Sequence, residues 1–365
     1  MNIPKLNIAG PQPVGFRWRE MRISLGANNE SKINMPTVTL GKTGIVTSRI
    51  GLGLAALGRP GYITMGHGQD LDNQREMGAM QARALDVLDA AYLSGVRYFD
   101  AARSYGLAEA FLMSWFKARG IPPASATVAS KWGYTYTAGW KVEAEQHEVK
   151  EHSLPVLQRQ WQESLAELGE HLSIYQIHSA SKESGVLERR EVLRALARLR
   201  ERGMIIGLTV SGAHQREVLQ QAMEIEVAGV PLFQCVQATW NLLEPSAQDV
   251  LTQAHARGMG VIVKEVLANG RLTRNNQDPA FNQQRMLLQE QAERMDATLD
   301  ALAIAAALAQ PWADVILSGA ARVAHLHSNL RALNVDWDPQ AESDLAELRE
   351  DPARYWDYRS QLAWN

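Results

Sequence analysis

Four side chains of the sequence could together move a proton, and they belong to Asp100, Tyr105, Lys131 and His178. A tyrosine phenol has a pKa of about 10 and is a weak acid at neutral pH. A lysine ammonium beside it stabilises the phenolate and lowers that pKa, a carboxylate can hold the lysine, and a histidine can orient a carbonyl oxygen. Such a set could protonate a carbonyl oxygen or deprotonate an alcohol. It supplies no hydride, so this chemistry implies a hydride-carrying cofactor.

Each of these residues also has an ordinary structural interpretation. Asp100 could cap a turn, Tyr105 could be a buried tyrosine with a hydrogen-bond partner, and a lone His178 fits either role. Lys131 is harder to explain in that way, because it ends an apolar stretch and unpaired lysines are rarely buried. Catalysis is therefore favoured by the set as a whole and not by any single member.

The elements that must position these residues follow from the hydrophobic pattern. From residue 37 onward, short apolar stretches alternate with amphipathic ones, which predicts strands alternating with helices. The predicted strands span residues 49–54, 96–100, 126–131, 172–178, 205–210, 233–238, 260–264 and 315–317. The predicted helices span residues 79–93, 108–118, 154–168, 187–202, 215–225, 246–257, 292–308 and 324–333. A hairpin is predicted ahead of the first of these strands, because residues 38–40 and 45–47 flank a glycine-bounded turn.

This alternation predicts an α/β fold, namely a closed (β/α)8 TIM barrel with an N-terminal β-hairpin and a C-terminal extension. An open doubly wound sheet is the alternative. Its dinucleotide-binding form is disfavoured because no G-x-G-x-x-G turn follows the first strand. Asp100, Lys131 and His178 each close a predicted strand, and strand ends of a barrel share one mouth, so these residues could converge there.

The chain divides into two predicted parts. Residues 1–35 lack a sustained period and are expected to be a flexible leader or a segment from an upstream start. Residues 36–365 form one barrel domain that includes the tail 334–365. The tail is rich in aromatic residues and is expected to pack on the barrel, on its bottom or over its mouth. Long segments at 59–76 and 132–153 follow the first and third strands and are expected on the catalytic face.

Composition excludes several classes of function. The formal net charge of the 365 residues is −3, so the chain lacks the excess of basic residues that is typical of nucleic-acid-binding proteins. Cys235 is the one cysteine, so an internal disulfide and a cysteine-based metal site are excluded, and a reducing, cytoplasmic location is expected. No apolar stretch approaches the roughly 20 residues of a membrane helix. No pair of histidines with an acid has metal-ligand spacing, so no metal site is expected. The sequence does not indicate an oligomeric state.

Five motifs in order resemble those of the aldo-keto reductase family. The stretch YFDAARSYG at residues 98–106 is similar to F-D-T-A-x-x-Y-G, and ASKWG at 129–133 is similar to the T-K-x-G strand end. IYQIH at 174–178 resembles L-Y-x-x-H, and QATWNLL at 237–243 resembles Q-x-x-Y-N-L-L. SGAAR at 318–322, with His325 and Asn329, resembles the late motif G-x-x-R-x-x-Q-x-x-x-N. The resemblance covers about residues 37–333.

The resemblance implies a barrel that binds NADPH across its mouth and passes hydride from the nicotinamide to a carbonyl carbon. Tyr105 would be the general acid, tuned by Lys131 and Asp100, and His178 would guide the carbonyl. The cofactor-binding residues would be Ser211, Gln237, Lys264, Leu267, Gly270, Ser318, Gly319, Arg322, His325 and Asn329. Ser211 and Gln237 would hold the carboxamide.

The segment that begins at Ser318 would hold the adenosine phosphate. A helix N-terminus presents free N–H groups to an anion, which supports that role independently. Arg322 could add a charge-assisted clamp that favours the 2′-phosphate, and hence NADP over NAD.

The sequence departs from the family pattern at several cofactor positions. Gly212 stands where an asparagine often follows Ser211, and Ala321 and His325 replace residues that often contact the adenosine. Lys264 stands where many members have an aromatic residue that stacks on the nicotinamide. A cation there would repel oxidised nicotinamide more than the neutral reduced form, so we expect tighter binding of NADPH than of NADP⁺.

The substrate pocket is expected to be aromatic. Trp132 and Tyr134 follow the third strand and Tyr62 follows the first, which suits a flat or apolar carbonyl or a sugar ring. The expected activity is NAD(P)H-dependent reduction of an aldehyde or ketone. The alternatives are a dehydrogenase of a sugar or secondary alcohol and an NADPH-sensing binding subunit with low turnover. A small-molecule substrate is the expected partner, without nucleic acid or membrane.

Overall fold

The computed structural model describes residues 34–365. The leader predicted at residues 1–35 therefore lies, except for residues 34 and 35, outside the described part. The predicted hairpin is present as strands β1 (Thr37–Thr39) and β2 (Val46–Ser48), paired antiparallel.

The remaining strands confirm the predicted barrel. They are β3 (Ile50–Gly53), β4 (Tyr98–Asp100), β5 (Thr127–Trp132), β6 (Tyr134–Tyr136), β7 (Glu148–Lys150), β8 (Leu172–Ala180), β9 (Ile205–Val210), β10 (Glu226–Val227), β11 (Val230–Pro231), β12 (Cys235–Thr239), β13 (Gly260–Lys264) and β14 (Val315–Ser318). Parallel pairing closes eight of them into a barrel in the order β3-β4-β5-β8-β9-β12-β13-β14. The pairs β6–β7 and β10–β11 are small antiparallel hairpins outside it. All carboxyl ends of the barrel strands therefore lie at one mouth.

Helices cover the barrel and extend into the tail. They are α1 (His67–Asp70), α2 (Met77–Leu93), α3 (Ala108–Arg119), α4 (Leu154–Leu168), α5 (Arg190–Glu201), α6 (Gln215–Met223), α7 (Gln248–Ala256), α8 (Asn282–Arg294), α9 (Leu299–Leu308), α10 (Val323–Leu330), α11 (Pro339–Leu345) and α12 (Pro352–Ser360). Their inner faces are apolar, as in α5, where Val192, Leu196 and Leu199 are buried against the sheet.

One predicted helix is wrong in its extent. The pattern predicts a single helix over residues 292–308, but the chain forms α8 and α9 with a break between them. Asp296 has a left-handed backbone (φ 48°), and the Thr298 side chain accepts a hydrogen bond from Ala301 N, which starts a new helix. The apolar spacing continues through the break, so the pattern alone does not reveal it.

The hairpin closes the end of the barrel opposite the mouth. Leu40 follows β1 and is fully buried inside the barrel with Tyr98 and Cys235. The adjoining Gly41 has φ 48°, and a Cβ there would lie 2.3 Å from the backbone nitrogen of Gly260, at the start of β13. Only glycine allows this close approach.

The tail packs over the mouth of the barrel. The sequence had left open whether it packs there or on the bottom. Arg271, after β13, forms an ion pair with Glu350 and so fastens the start of α12. Asn365 pairs its backbone with Tyr62, with Tyr62 N donating to Asn365 O at 3.2 Å. The tail therefore forms one wall of the opening above the strand ends.

Candidate active site

The ends of three neighbouring strands and one turn bring the predicted proton-transfer residues together. Asp100 ends β4, Lys131 lies near the end of β5, and Tyr105 lies in the turn after β4. His178 lies in β8, where the pairing with β9 shifts register between Ile177 and Ala180. Such a bulge re-aims side chains, and His178 lines the cavity at the mouth.

Lys131 is the centre of the cluster. Its side chain is fully buried and forms an ion pair with Asp100. The Lys131 ammonium donates to the carbonyl oxygen of Ala101 at 3.0 Å and to the Tyr105 hydroxyl at 3.4 Å. Gln237 Nε2 donates to the other carboxylate oxygen of Asp100 at 2.8 Å. Both oxygens of Asp100 are thereby fixed, and Asp100 in turn fixes the lysine.

The pKa of Tyr105 differs from the sequence expectation. Burial raises the pKa of this phenol well above its usual value, Asp100 raises it further, and Arg59 acts in the opposite direction. The expected lowering by a neighbouring cation is therefore outweighed by removal of the phenol from water. Tyr105 is protonated at neutral pH, as a proton donor must be.

His178 is neutral for the same reason. Burial lowers the pKa of His178 well below its usual value, and the charges of Lys131 and Arg59 lower it further. The imidazole meets the Tyr105 ring edge-on, with 5.5 Å between ring centroids, and packs against Tyr134 at 4.8 Å. Its Nδ1 lies 3.5 Å from Ser104 Oγ. A neutral imidazole can donate one hydrogen bond to a carbonyl oxygen without competing as an acid.

A cavity of about 860 Å³ extends from this cluster across the mouth. Most predicted site residues line it: Tyr62, Asp100, Tyr105, Tyr134, His178, Ser211, Gln237, Lys264, Leu267, Gly270, Ser318, Gly319, His325 and Asn329. Three predicted residues do not line it. Lys131 lies beneath the cavity, and Trp132, expected in the substrate pocket, is fully buried with its ring against His152. Arg322, at the start of α10, is not among the lining residues.

Lys264 lines the cavity. Its ammonium donates to Ser211 Oγ at 2.9 Å and to Thr239 Oγ1 at 2.7 Å, and lies 3.9 Å from Glu265. Burial lowers the pKa of Lys264 to about 8, although Glu265 raises it. Lys264 is therefore largely charged at neutral pH and loses its charge in mildly alkaline solution.

The far end of the cavity is built on the start of α10. The side-chain amide of Asn329 lies 2.8 Å from Ser318 Oγ, and a Cβ at Gly319 would meet no atom within 4 Å, so this end is open. Arg322 occupies the N-cap position of α10, and its side chain forms an ion pair with Asp72. His325 Nε2 lies 3.5 Å from Asp70 Oδ1. Arg322, the predicted phosphate ligand, and His325, a predicted cofactor-binding residue, thus both face carboxylates from the segment after β3.

The sequence reasoning missed several residues at the other end. Arg59 and Glu148 form a buried ion pair beside Tyr105, and both line the cavity. Trp364 and Arg359 come from the tail, and Arg359 Nε donates to Glu265 at 2.9 Å. No motif marks these positions. For Arg59 and Glu148 the available signal was the length of the segments 59–76 and 132–153, since long loops after barrel strands are usually functional. For the two tail residues it was the aromatic content of the tail.

Two classes of feature are absent from residues 34–365. No group of three or more His, Cys, Asp or Glu side chains has the arrangement of a metal site. Within the same residues, no helix has the length and apolar character needed to cross a bilayer.

Comparisons with known proteins give one consistent result. The sequence model of the family described as "Aldo/keto reductase family" matches residues 49–350. The oxidoreductase YrpG of Bacillus subtilis, itself described as uncharacterized, is 26% identical over 241 residues, which is 64% of this chain and 67% of that protein.

Solved structures show the same fold. An aldo-keto reductase from Bacillus halodurans in its holo form has a TM-score of 0.66 at 18% identity, covering 87% of this chain and 97% of the other. A Pseudomonas aeruginosa protein assigned to the same family has a TM-score of 0.58 at 21% identity, covering 87% of this chain and 98% of the other.

Proposed function

The chain belongs to the aldo/keto reductase family, and we propose that it reduces an aldehyde or ketone to an alcohol with hydride from NADPH and a proton from Tyr105. Membership makes it an oxidoreductase of the kind that uses a nicotinamide cofactor. The preference for NADPH and the roles of individual residues are our proposals. The observation that carries the proposed role of Tyr105 is the contact of Lys131 with both Asp100 and the Tyr105 hydroxyl, beneath a cavity that Asp100 and Tyr105 line.

The residues of the cavity fit an extended dinucleotide. The cavity is continuous from the Tyr105 end to the start of α10, where Gly319 leaves open space beside free helix N–H groups. Ser211 would meet the carboxamide, Leu267 and Gly270 would lie along the middle, and Ser318 and Asn329 would meet the adenosine end. Gln237 donates one N–H of its side-chain amide to Asp100, so its other N–H and its carbonyl oxygen would be available to the carboxamide.

The bound cofactor supplies hydride, and the residues of the chain supply the proton and the geometry. Tyr105, protonated because it is buried, donates its proton to the carbonyl oxygen. Lys131 stabilises the phenolate that remains, and Asp100 holds Lys131 in place. Neutral His178 donates a hydrogen bond that orients the carbonyl oxygen. Tyr62 and Tyr134 form aromatic walls for the substrate.

A single assay with one variant tests this proposal. Purified protein is mixed with NADPH and a reactive aromatic aldehyde, and loss of NADPH absorbance is followed for the wild type and Tyr105→Phe. We expect turnover in the wild type and a loss of at least about 100-fold in the variant, since general acid catalysis contributes that much. Cofactor binding, measured by fluorescence, should be equal in both.

The other outcomes distinguish the alternative functions. If both proteins bind NADPH and neither turns over, alcohol or sugar oxidation with NADP⁺ is measured next, and silence there favours the sensing subunit. If neither protein binds a nicotinamide cofactor, the proposed function is wrong.

A further inference from the structure

Arg59 lies beside the proposed proton donor in an unusual environment. Its guanidinium carbon lies 5.2 Å from the centre of the Tyr105 ring, and its Nη1 donates to the carbonyl oxygen of Ser104 at 3.1 Å. The side chain is 4% exposed. The hydrogen bond to Ser104 ties the arginine to the turn that carries Tyr105, so the position of the charge relative to the phenol is fixed.

Glu148 is the counter-ion of Arg59. It begins β7, in the segment after the third barrel strand, and its carboxylate is 18% exposed. Tyr105 therefore lies next to two ion pairs, Lys131–Asp100 beneath it and Arg59–Glu148 on the cavity side. The first pair belongs to the motifs of the sequence. The second comes from two long loops that carry no motif.

Aromatic rings cover the Arg59 side of the second pair. The Arg59 guanidinium lies 4.7 Å from the centre of the Trp364 ring and 5.2 Å from that of Tyr62. Trp364 also stacks on His147 with 4.1 Å between centroids. A desolvated cation near an aromatic ring interacts with it more strongly than an exposed one, because less water screens the charge.

We propose that the ion pair Arg59–Glu148 sets the acidity of Tyr105, with Arg59 as a positioning residue that stabilises the phenolate and Glu148 as the group that moderates this effect. The proposal rests on the proposed role of Tyr105 as proton donor. The charged or titratable groups of the described residues that face Tyr105 are Arg59, Tyr62, Asp100, Lys131, Glu148, His178 and Glu265. Of these groups, Arg59 and Glu148 form an ion pair with each other, and both lie outside the sequence motifs.

Arg59 and Glu148 should shift the pKa of Tyr105 in opposite directions. Burial and Asp100 raise the pKa of Tyr105 most, Arg59 lowers it and Glu148 raises it. Removing the Arg59 charge leaves the phenolate less stable and moves the pKa up. Removing the Glu148 charge leaves Arg59 uncompensated and moves the pKa down. A pair that served only to hold two loops together would produce no such opposition, since loss of either partner would break the same bridge.

The experiment compares four variants: Arg59→Met, Arg59→Lys, Glu148→Gln and, as a control, Arg119→Met. Arg119 forms a similar ion pair with Asp89 away from the cavity. Phenolate absorbance is measured in each protein from mildly alkaline pH up to the highest pH at which circular dichroism still shows a folded protein, and the same series for that protein carrying Tyr105→Phe is subtracted, so that the onset of the Tyr105 transition is compared. This difference reports Tyr105 alone and needs neither substrate nor cofactor, so it remains informative if the proposed function fails. The pH profile of alcohol oxidation gives a second readout.

We expect the Tyr105 transition to move up by about one pH unit in Arg59→Met and down in Glu148→Gln, since a charge at this distance has that effect. Arg59→Lys should stay near the wild type, and Arg119→Met should equal it. In turnover, Arg59→Met should lower kcat about tenfold with KM little changed, the equivalent of one pKa unit. Shifts of the same sign in Arg59→Met and Glu148→Gln, or no shift in either, would overturn the proposal.

Discussion

Arg322 at the start of α10 is held by Asp72, which lies in the segment after the first barrel strand. Both side chains are partly exposed, at 36% and 53%. The guanidinium that would clamp a 2′-phosphate is thus already paired with a carboxylate, and NADPH must compete with Asp72 for it. If Arg322 binds the 2′-phosphate as proposed, Asp72 should therefore influence the affinity for NADPH.

Asp72→Asn should tighten the binding of NADPH by a fewfold and leave NADH unchanged. The expected gain is small because an exposed ion pair contributes about 0.2–1 kcal/mol. Dissociation constants for both cofactors provide the measurement, with Asp249→Asn as the control because Asp249 is exposed and pairs with Arg216 elsewhere on the surface. An equal gain for both cofactors would show that Arg322 does not read the 2′-phosphate.

Lys264 should make the preference for reduced cofactor depend on pH. Its side chain lines the cavity, and burial lowers its pKa to about 8. Below that pH the cation repels oxidised nicotinamide, and as the pH rises through about 8 the charge and the preference are lost. We expect the ratio of NADP⁺ to NADPH dissociation constants to fall between pH 7 and pH 9 in the wild type.

Variants of Lys264 separate charge from stacking. Lys264→Met should give a lower ratio that no longer changes with pH, and Lys264→Tyr should lower it further by adding a ring that can stack. A ratio unaltered in both variants would rule out Lys264 as the cause.

Trp364 should contribute mainly to substrate affinity. Its ring lines the cavity, lies over Arg59 and stacks on His147. Trp364→Ala should raise KM for an aromatic aldehyde about tenfold, because a buried aromatic contact is lost, with a smaller change in kcat. Trp337→Ala, which alters a tail tryptophan outside the cavity lining, is the control. An unchanged KM would place the substrate away from the tail.

The barrel could be predicted from the sequence because its signals are local. Predicted strands 205–210 and 260–264 coincide with β9 and β13, where a short apolar stretch follows a helix and a turn. Asp100, Lys131 and His178 could be placed at one mouth because parallel strands fix which ends meet. The break before α9 could not be predicted, since the apolar spacing runs through it and only the cap at Thr298 marks it.

The upper part of the site could not be predicted for a different reason. Arg59, Glu148 and Trp364 lie far apart in the chain, in segments without periodicity, and their contacts depend on how the loops and the tail pack. The sign of the pKa shift of Tyr105 likewise depends on burial, which the order of residues does not specify. Local patterns thus predict the scaffold and the motif residues, whereas the environment of those residues is a property of the packed loops.

Glu265 and Arg359 provide a test of how firmly the tail is fastened. Arg359 Nε donates to Glu265 at 2.9 Å, and the Glu265 carboxylate is 9% exposed. Burial raises the pKa of Glu265, but the charges of Arg359 and Lys264 outweigh it, so the pKa falls from its ordinary 4.5 to about 2. Because the folded-state pKa is the lower one, this stabilisation is present above pH 4.5 and is lost as the pH falls toward 2.

Arg359→Met should reduce the free energy of unfolding by about 2 kcal/mol at neutral pH, because it leaves a carboxylate buried without its main partner. Adding Glu265→Gln should restore much of that loss, since a neutral amide is less costly to bury. Urea unfolding of the wild type, both single variants and the double variant completes the cycle. A double variant no more stable than Arg359→Met would mean that Arg359 fastens the tail by packing on Trp356, 5.3 Å from its ring centre, and not by its charge.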